Sequence, residues 1–546
     1  MIDLHAHGLR APSTAPRAIG GPATIARILD LSLAEDPDRV VLVGRSGRHS
    51  AGDLDDLVRR AAGVLRAMGV GPGDRVCASL PNDDAIVIAF LGAMRLGAIW
   101  VGLNRPLAVP EKAYMLRDAQ AGVLLADGEV AAQVRSVQAE LPDLRRVVVV
   151  DPTDADDEWA SLLADASAPD LDIEIDPLAP AAIAYTSGTT GFPKGAVHTQ
   201  HNLLLPGKMS ALRSLVALPP APRPVPRPVP PVMGVPLPLT ILNLMILGPL
   251  AAYQGGASVV AMDRVDAVGM AEWIEREQVT TFAAVPAMVH DLLTHPDVGD
   301  EMLASIEAIG VGGADMPDAF RRLYEERFGR RVGTGYGLTE APTSVTGEDV
   351  TRPLVPGTCG QALPQIRLHI LDDEGRELGP GELGEVCVGP ATEGDFADVY
   401  RTMLGYWNRP DETARALRGG VLHTGDLGEL DGDGNLFIKD RRNDLIIRGG
   451  ANVYPAEVER VLHDDPRVAA CAVIGRPDDR LGERIVAFVE LAPGASGDAD
   501  GLLEHCRINL ARYKVPESIT FVERFDRTPM GKIRKTVLRE GSARRA

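Results

Sequence analysis

Cysteine is scarce. Five occur in 546 residues, at 77, 359, 387, 471 and 506, and no two form a C-x-x-C pair. That spacing excludes the usual zinc and dithiol motifs and predicts a reducing, cytoplasmic setting. Positive charge is also in deficit. Lys and Arg number 56 against 76 Asp and Glu, for a net charge of −20, which excludes nucleic acid and anionic membrane as main partners. The N-terminus, MIDLHAHGLRAPSTAPRAIG, lacks the apolar core of a signal peptide. One apolar run, 235–253 (VPLPLTILNLMILGPLAAY), has the length of a membrane span. Pro236, Pro238, Asn243 and Pro249 interrupt it and no basic flank follows, so it reads as a buried core segment without stable membrane insertion.

The chain is too long for a single hydrophobic core and should form a large body with at least one smaller domain. Short β-rich runs at 39–44, 75–80, 98–103, 122–126, 145–150 and 182–186 alternate with helical spacing over 51–68 and 84–96. The pattern recurs after residue 250, which predicts α/β layers. Residues 219–231 carry eight prolines in thirteen positions and predict an extended surface spacer. From about residue 366 a small β-rich unit is expected. After 445 a compact α+β pattern follows, with helices at 455–463 and 500–511 and strands at 469–474 and 484–491.

Several features imitate sites. Asp3-Leu-His5-Ala-His7 resembles a strand-borne H-x-H metal pair, but no later ligand set accompanies it. Asp431-Gly-Asp433-Gly-Asn435 begins like a calcium loop, yet Leu436 and Arg442 stand where Gly and Glu are required. A hairpin turn is the better reading. Gly333-x-Gly335-x-Gly337 lacks dinucleotide spacing, and His198 and His201 do not form H-E-x-x-H.

Thr186-Ser187-Gly188-Thr189-Thr190-Gly191, followed by Lys194, is not a Walker loop, because Lys194 follows Pro193 and precedes Gly195. Its hydroxyls and backbone N–H groups could still wrap a polyphosphate. Four further motifs follow in order: Tyr336-Gly-Leu-Thr339-Glu340, His423-Thr-Gly-Asp426, Asp440-Arg441-Arg442-Asn443-Asp444 and Pro529-Met-Gly-Lys532. With these five, the chain resembles the superfamily of adenylate-forming enzymes over residues 25–540, and within it the AMP-forming acyl-CoA synthetases.

The resemblance implies an α/β fold. Its large N-terminal body, residues 1–440, would hold two layered α/β sheets and a small β-rich unit, with a small mobile α+β C-terminal domain over 441–546. It implies ATP, Mg²⁺ and CoA, and a carboxylic acid adenylated with loss of pyrophosphate. A carrier-protein phosphopantetheine is the alternative thiol acceptor. By the same resemblance Thr186, Ser187, Gly188, Thr189, Thr190, Gly191 and Lys194 hold the β- and γ-phosphates. Tyr336, Gly312, Gly313 and Ala314 form the adenine pocket. Thr339 meets the α-phosphate, Glu340 holds Mg²⁺, and Asp426 with Arg441 takes the ribose. Lys532 serves the adenylation step, Asn443 is the hinge in place of the more usual Asp or Lys, and Gly449 and Gly450 border the CoA tunnel. Leu239, Asn243, Val311 and Gly337 are expected in the acyl pocket, which looks apolar and suits an apolar, bulky or longer acid.

Overall fold

In the computed structural model, every residue is described except 1, 13, 152–156, 170–172, 187–191, 217–229, 312–317, 330, 442–444, 527–532, 534, 536 and 540–546. Among the described residues, two large sheets build the N-terminal part. The first has seven strands, in the order Gly405–Tyr406, Lys194–Thr199, Pro180–Thr186, Ile99–Gly102, Arg75–Ser79, Val123–Ala126 and Arg146–Val149. The last five are parallel. Lys194–Thr199 and Gly405–Tyr406 add antiparallel strands at one edge. The second has six strands, Ala308–Val311, Thr281–Ala284, Val232–Val235, Ser258–Ala261, Val40–Val43 and Arg48–Ser50.

The helices Ala51–Ala67 and Asp84–Arg95 lie in one core with residues of both sheets, among them Val41, Val259, Val76 and Trp100. Ala51–Ala67 starts at a capping box formed by Ser50 and Asp53 and buries one stripe through Leu54, Val58, Ala61 and Leu65. Asp84–Arg95 is apolar on all sides and buries ten of its twelve residues, as a helix between two layers must. The apolar run 235–253 is the expected core segment. It forms the helix Leu242–Met245, a π turn over Ile246–Leu250 and the helix Ala251–Gln254, with Leu250 and Tyr253 fully buried. Among the described residues no helix is long and apolar enough to cross a membrane. The proline-rich stretch lies mostly outside the described residues.

The β-rich unit is a four-stranded antiparallel sheet, Ile366–Leu371, Gly384–Pro390, Leu422–Leu430 and Leu436–Arg441. Its last turn is the expected hairpin. Asp431 accepts the N–H groups of Asp433 and Asn435, and Gly434 has φ +80°. The C-terminal part has its own sheet, from Ala451–Val453, Ile446–Arg448, Gly482–Leu491, Val468–Asp478 and Ser518–Val522. Helices Pro455–His463 and Ala499–Asn509 close a core around Val458, Leu462, Val489 and Leu502. The observed fold is thus α/β, a large two-sheet body with a β-rich unit and a small C-terminal domain. The N-terminal histidines do not sit on a strand. His5–His7 is a 3₁₀ turn in which His7 stacks on Trp407 at 3.9 Å and its Nδ1 meets Asn408 Oδ1 at 2.8 Å.

Candidate active site

Sheet register assembles the first part of the site. In antiparallel pairing, residues directly opposite point to the same face. Thr186 stands opposite Lys194, and Tyr406 opposite Ala196. Since Lys194 and Ala196 are two apart, Thr186, Lys194 and Tyr406 share one face at the sheet edge. Glu340 arrives there from the following motif. Its Oε1 accepts hydrogen bonds from Tyr406 Oη at 2.8 Å and Thr186 Oγ1 at 3.2 Å. Lys194 Nζ lies 4.6 Å from the Tyr406 ring centroid. Burial lowers the Lys194 pKa, opposed by the nearby Glu340 charge. Burial also raises the Tyr406 phenol far above its usual value, with Glu340 adding to the rise.

The backbone that carries Thr339 and Glu340 is held from below. Met403 N–H donates to Glu340 O at 3.0 Å, and His198 Nε2 meets Thr339 O at 2.7 Å. His198 is 1% exposed, and burial lowers its pKa to about 4, so the ring is neutral and donates Nε2–H to the carbonyl. His201 meets the carbonyl of Val399 at 2.8 Å. Both histidines are structural.

The second part comes from the β-rich unit. Tyr336 Oη donates to Asp426 Oδ2 at 2.5 Å, and strand pairing sets Arg441 opposite Asp426. Glu385 braces the turn that presents Asp426. It accepts from Arg418 at 2.7 Å, His423 Nδ1 at 2.9 Å and Gly425 N–H at 3.1 Å. Glu385, Cys387 and His423 are the one group of three potential ligands among the described residues. The Arg418 guanidinium on the same Glu385 oxygen disfavours a second cation there, so the group reads as a brace.

These parts open into one cavity of about 2290 Å³. Its wall includes Thr186, Lys194, Tyr336, Thr339, Glu340 and Asp426, and also the expected acyl-pocket residues Asn243, Val311 and Gly337. Leu239, expected there too, does not reach it. Its N–H donates to Asn82 Oδ1 at 2.8 Å, and its side chain is fully buried in the core between the sheets. Asn82 also holds the carbonyls of Val235 and Leu237, which fixes this turn and leaves Leu237, Thr240 and Ile241 on the wall. Gly102 permits the approach, since a Cβ there would lie 1.8 Å from Thr240 O.

The C-terminal domain closes the cavity with Gly450, Ala451 and Asn452. Gly450 has φ +83°, and a Cβ on it would lie 2.3 Å from Val285 Cγ1. Gly449, expected beside it, is not on the wall, and its N–H bonds Leu481 O at 2.7 Å. Ser187, Gly188, Thr189, Thr190, Gly191, Gly312, Gly313, Ala314, Asn443 and Lys532 lie outside the described residues, as does the side chain of Arg441. Sequence reasoning missed Tyr406, Glu385 and the Glu111–Lys514–Glu457 cluster. Only the adjacent aromatics Tyr406-Trp407 in a chain with 4% aromatics offered a local signal.

A family model described as AMP-binding enzyme matches residues 29–407, and that of the AMP-binding enzyme C-terminal domain matches 457–532. The chain belongs to the AMP-binding enzyme family. Among its relatives, a long-chain-fatty-acid–CoA ligase of Mycobacterium tuberculosis is 33% identical, over 90% of this chain and 93% of the other. A feruloyl-CoA synthase of Amycolatopsis is 36% identical, over 89% and 92%. Among solved structures, a double mutant of o-succinylbenzoate CoA synthetase from Bacillus subtilis, bound with its product analogue, superposes with a TM-score of 0.80. It is 28% identical and the match covers 94% of this chain and 97% of that one. This AMP-binding enzyme is an adenylate-forming acid–thiol ligase that uses ATP.

Proposed function

We propose that the enzyme joins the carboxylate of an apolar organic acid to the α-phosphate of ATP, releases pyrophosphate, and passes the acyl group to CoA with release of AMP. The observation that carries the reading is the single cavity that holds Thr186, Lys194, Tyr336, Thr339, Glu340 and Asp426 against an apolar wall. Lys194 and the loop 186–191 take the β- and γ-phosphates, because hydroxyls, N–H groups and one cation match a polyanionic leaving group. Tyr336, with 312–314, faces the adenine, and Thr339 the α-phosphate. The Asp426 carboxylate takes the ribose diol, with Arg441 beside it.

Lys532 serves the first step. A carboxylate attacking a phosphate brings two anions together, and a lysine between them relieves the repulsion as charge moves onto pyrophosphate. Glu340 fits Mg²⁺, a hard cation that takes carboxylate oxygen, because its Oε2 has no bonded partner among the described residues. When bound, Mg²⁺ neutralises charge on the phosphates as a Lewis acid. In the second step a thiolate attacks the carbonyl of the acyl-adenylate and AMP leaves. Residues 1–440 and 441–546 act as separate domains that pivot near Asn443, and Gly450 borders the path of the thiol. The likeness to a CoA synthetase that holds its product analogue supports CoA over a carrier-protein arm.

Leu205, Met209, Leu237, Ile241, Leu244 and Leu247 line the cavity and carry no charge for a second carboxylate or an α-amino group. That supports an acid with an apolar body. Mass spectrometry of the products formed from ATP, Mg²⁺, CoA and a pool of carboxylic acids tests the reading. A new apolar acyl-CoA together with AMP is expected. AMP without acyl-CoA moves the acceptor to a carrier protein, and turnover of amino acids alone refutes the apolar assignment.

A further inference from the structure

Tyr406 belongs to none of the five motifs, yet it touches two of them. Its backbone is fixed twice. Strand pairing sets it opposite Ala196, and its N–H donates to Thr413 Oγ1 at 2.9 Å. The residue is 8% exposed. Its hydroxyl donates to Glu340 Oε1, the same oxygen that accepts from Thr186 Oγ1. Two donors on one carboxylate oxygen fix the plane of the group and leave the other oxygen as the free acceptor. Among the described residues nothing bonds Oε2. The face of the same ring carries Lys194 Nζ at 4.6 Å, a cation–π contact inside a partly desolvated site.

We infer that Tyr406 is a positioning residue. Its hydroxyl aims Glu340 so that Oε2 is the oxygen offered to a divalent cation, and its ring holds the Lys194 ammonium beside that carboxylate. The two functions reside in different parts of one side chain and are therefore separable by substitution. The inference rests on the reading of the cavity as the ATP site.

The test is calorimetric titration of the full chain with ATP, once in EDTA and once with Mn²⁺. The gain in affinity on adding Mn²⁺ reports Glu340, and the metal-free affinity reports Lys194. Tyr406→Phe keeps the ring and loses the hydroxyl. Its metal-free affinity stays within about twofold of the native chain while the Mn²⁺ gain falls about tenfold, the size of one hydrogen bond to a charged group. Tyr406→Leu loses the ring as well, so its metal-free affinity also falls, by about threefold. Thr186→Val removes the other donor on Oε1 and lowers the Mn²⁺ gain as Tyr406→Phe does, which carries the test should the tyrosine variants fail to fold. A native Mn²⁺ gain in Tyr406→Phe, or in Thr186→Val should the tyrosine variants fail to fold, overturns the inference. No ATP binding by the native chain in either buffer overturns the ATP site itself, and the inference with it.

Discussion

Glu111→Gln should separate the two half-reactions. Glu111 lies in the helix Val109–Asp118 of the N-terminal body, and its Oε2 accepts from Ala108 N–H at 2.8 Å. The C-terminal domain supplies its other partners. Lys514 Nζ donates to Oε1 at 2.7 Å and Ala511 N–H to Oε2 at 2.8 Å. Lys514 also pairs with Glu457 at 2.9 Å, and all three side chains are below 10% exposed. Burial opposes the Lys514 charge, but the carboxylates of Glu457 and Glu111 outweigh it and raise its pKa. A glutamine keeps the volume and one acceptor. Whichever way its amide turns, the NH₂ faces a donor, either the ammonium or the paired N–H groups. The loss of one buried, charge-assisted contact is about 2–3 kcal/mol, a shift of about 30- to 150-fold in the docking equilibrium. Lys514 and Glu457 remain paired inside the C-terminal domain, so that domain keeps its fold. Rapid-quench kinetics read both steps. The pyrophosphate burst should survive, while thioester formation slows by up to that factor. Equal slowing of both steps, or of neither, refutes the reasoning.

Three further outcomes follow from the same geometry. Lys532→Ala should abolish acyl-adenylate formation, assayed by pyrophosphate release, while leaving ATP binding by calorimetry within about threefold; unchanged adenylation removes Lys532 from the first step. Gly450→Ala puts a methyl at φ +83° and 2.3 Å from Val285, a combined strain of about 1–3 kcal/mol, so thioester formation should fall at least fivefold with the pyrophosphate burst intact. His198 has a folded pKa lowered to about 4 by burial against about 6.5 in the unfolded chain. Between those values the unfolded chain alone takes the proton, so this stabilisation is whole above pH 6.5 and lost as pH falls toward 4, about 3 kcal/mol in all. Asp83, held above the usual carboxylate range by burial beside Asp84, has the opposite slope. The difference in urea stability between His198→Gln and the native chain therefore isolates the histidine, and a pH-independent difference contradicts its buried neutral state.

What could be read from the sequence is what is encoded locally. Periodicity and caps carry the helices, so the spacing that predicts 455–463 and 51–68 meets helices at Pro455–His463 and Ala51–Ala67. The prolines that argue against a membrane span in 235–253 end in a buried helix with a π turn at Pro249. Each motif is likewise a run of a few residues whose types announce its chemistry. The partners that hold those motifs carry no such announcement. Tyr406 reaches Glu340 because a two-residue edge strand pairs with Lys194–Thr199, more than 200 residues earlier. Glu111 and Lys514 meet across 403 positions. The resemblance places Leu239 in the acyl pocket, but Asn82, 157 positions away, decides which way its turn faces. His198 does not form a metal motif by its spacing, and its contact with Thr339 O, 141 positions on, depends on how two strands and a loop stack. Loop closure over such distances is set by the whole fold. The proposed reacting groups of this enzyme are therefore named one motif at a time, and their orientation is a tertiary property. That is why the separable tests above fall on Tyr406 and Glu111, neither of which lies in a motif.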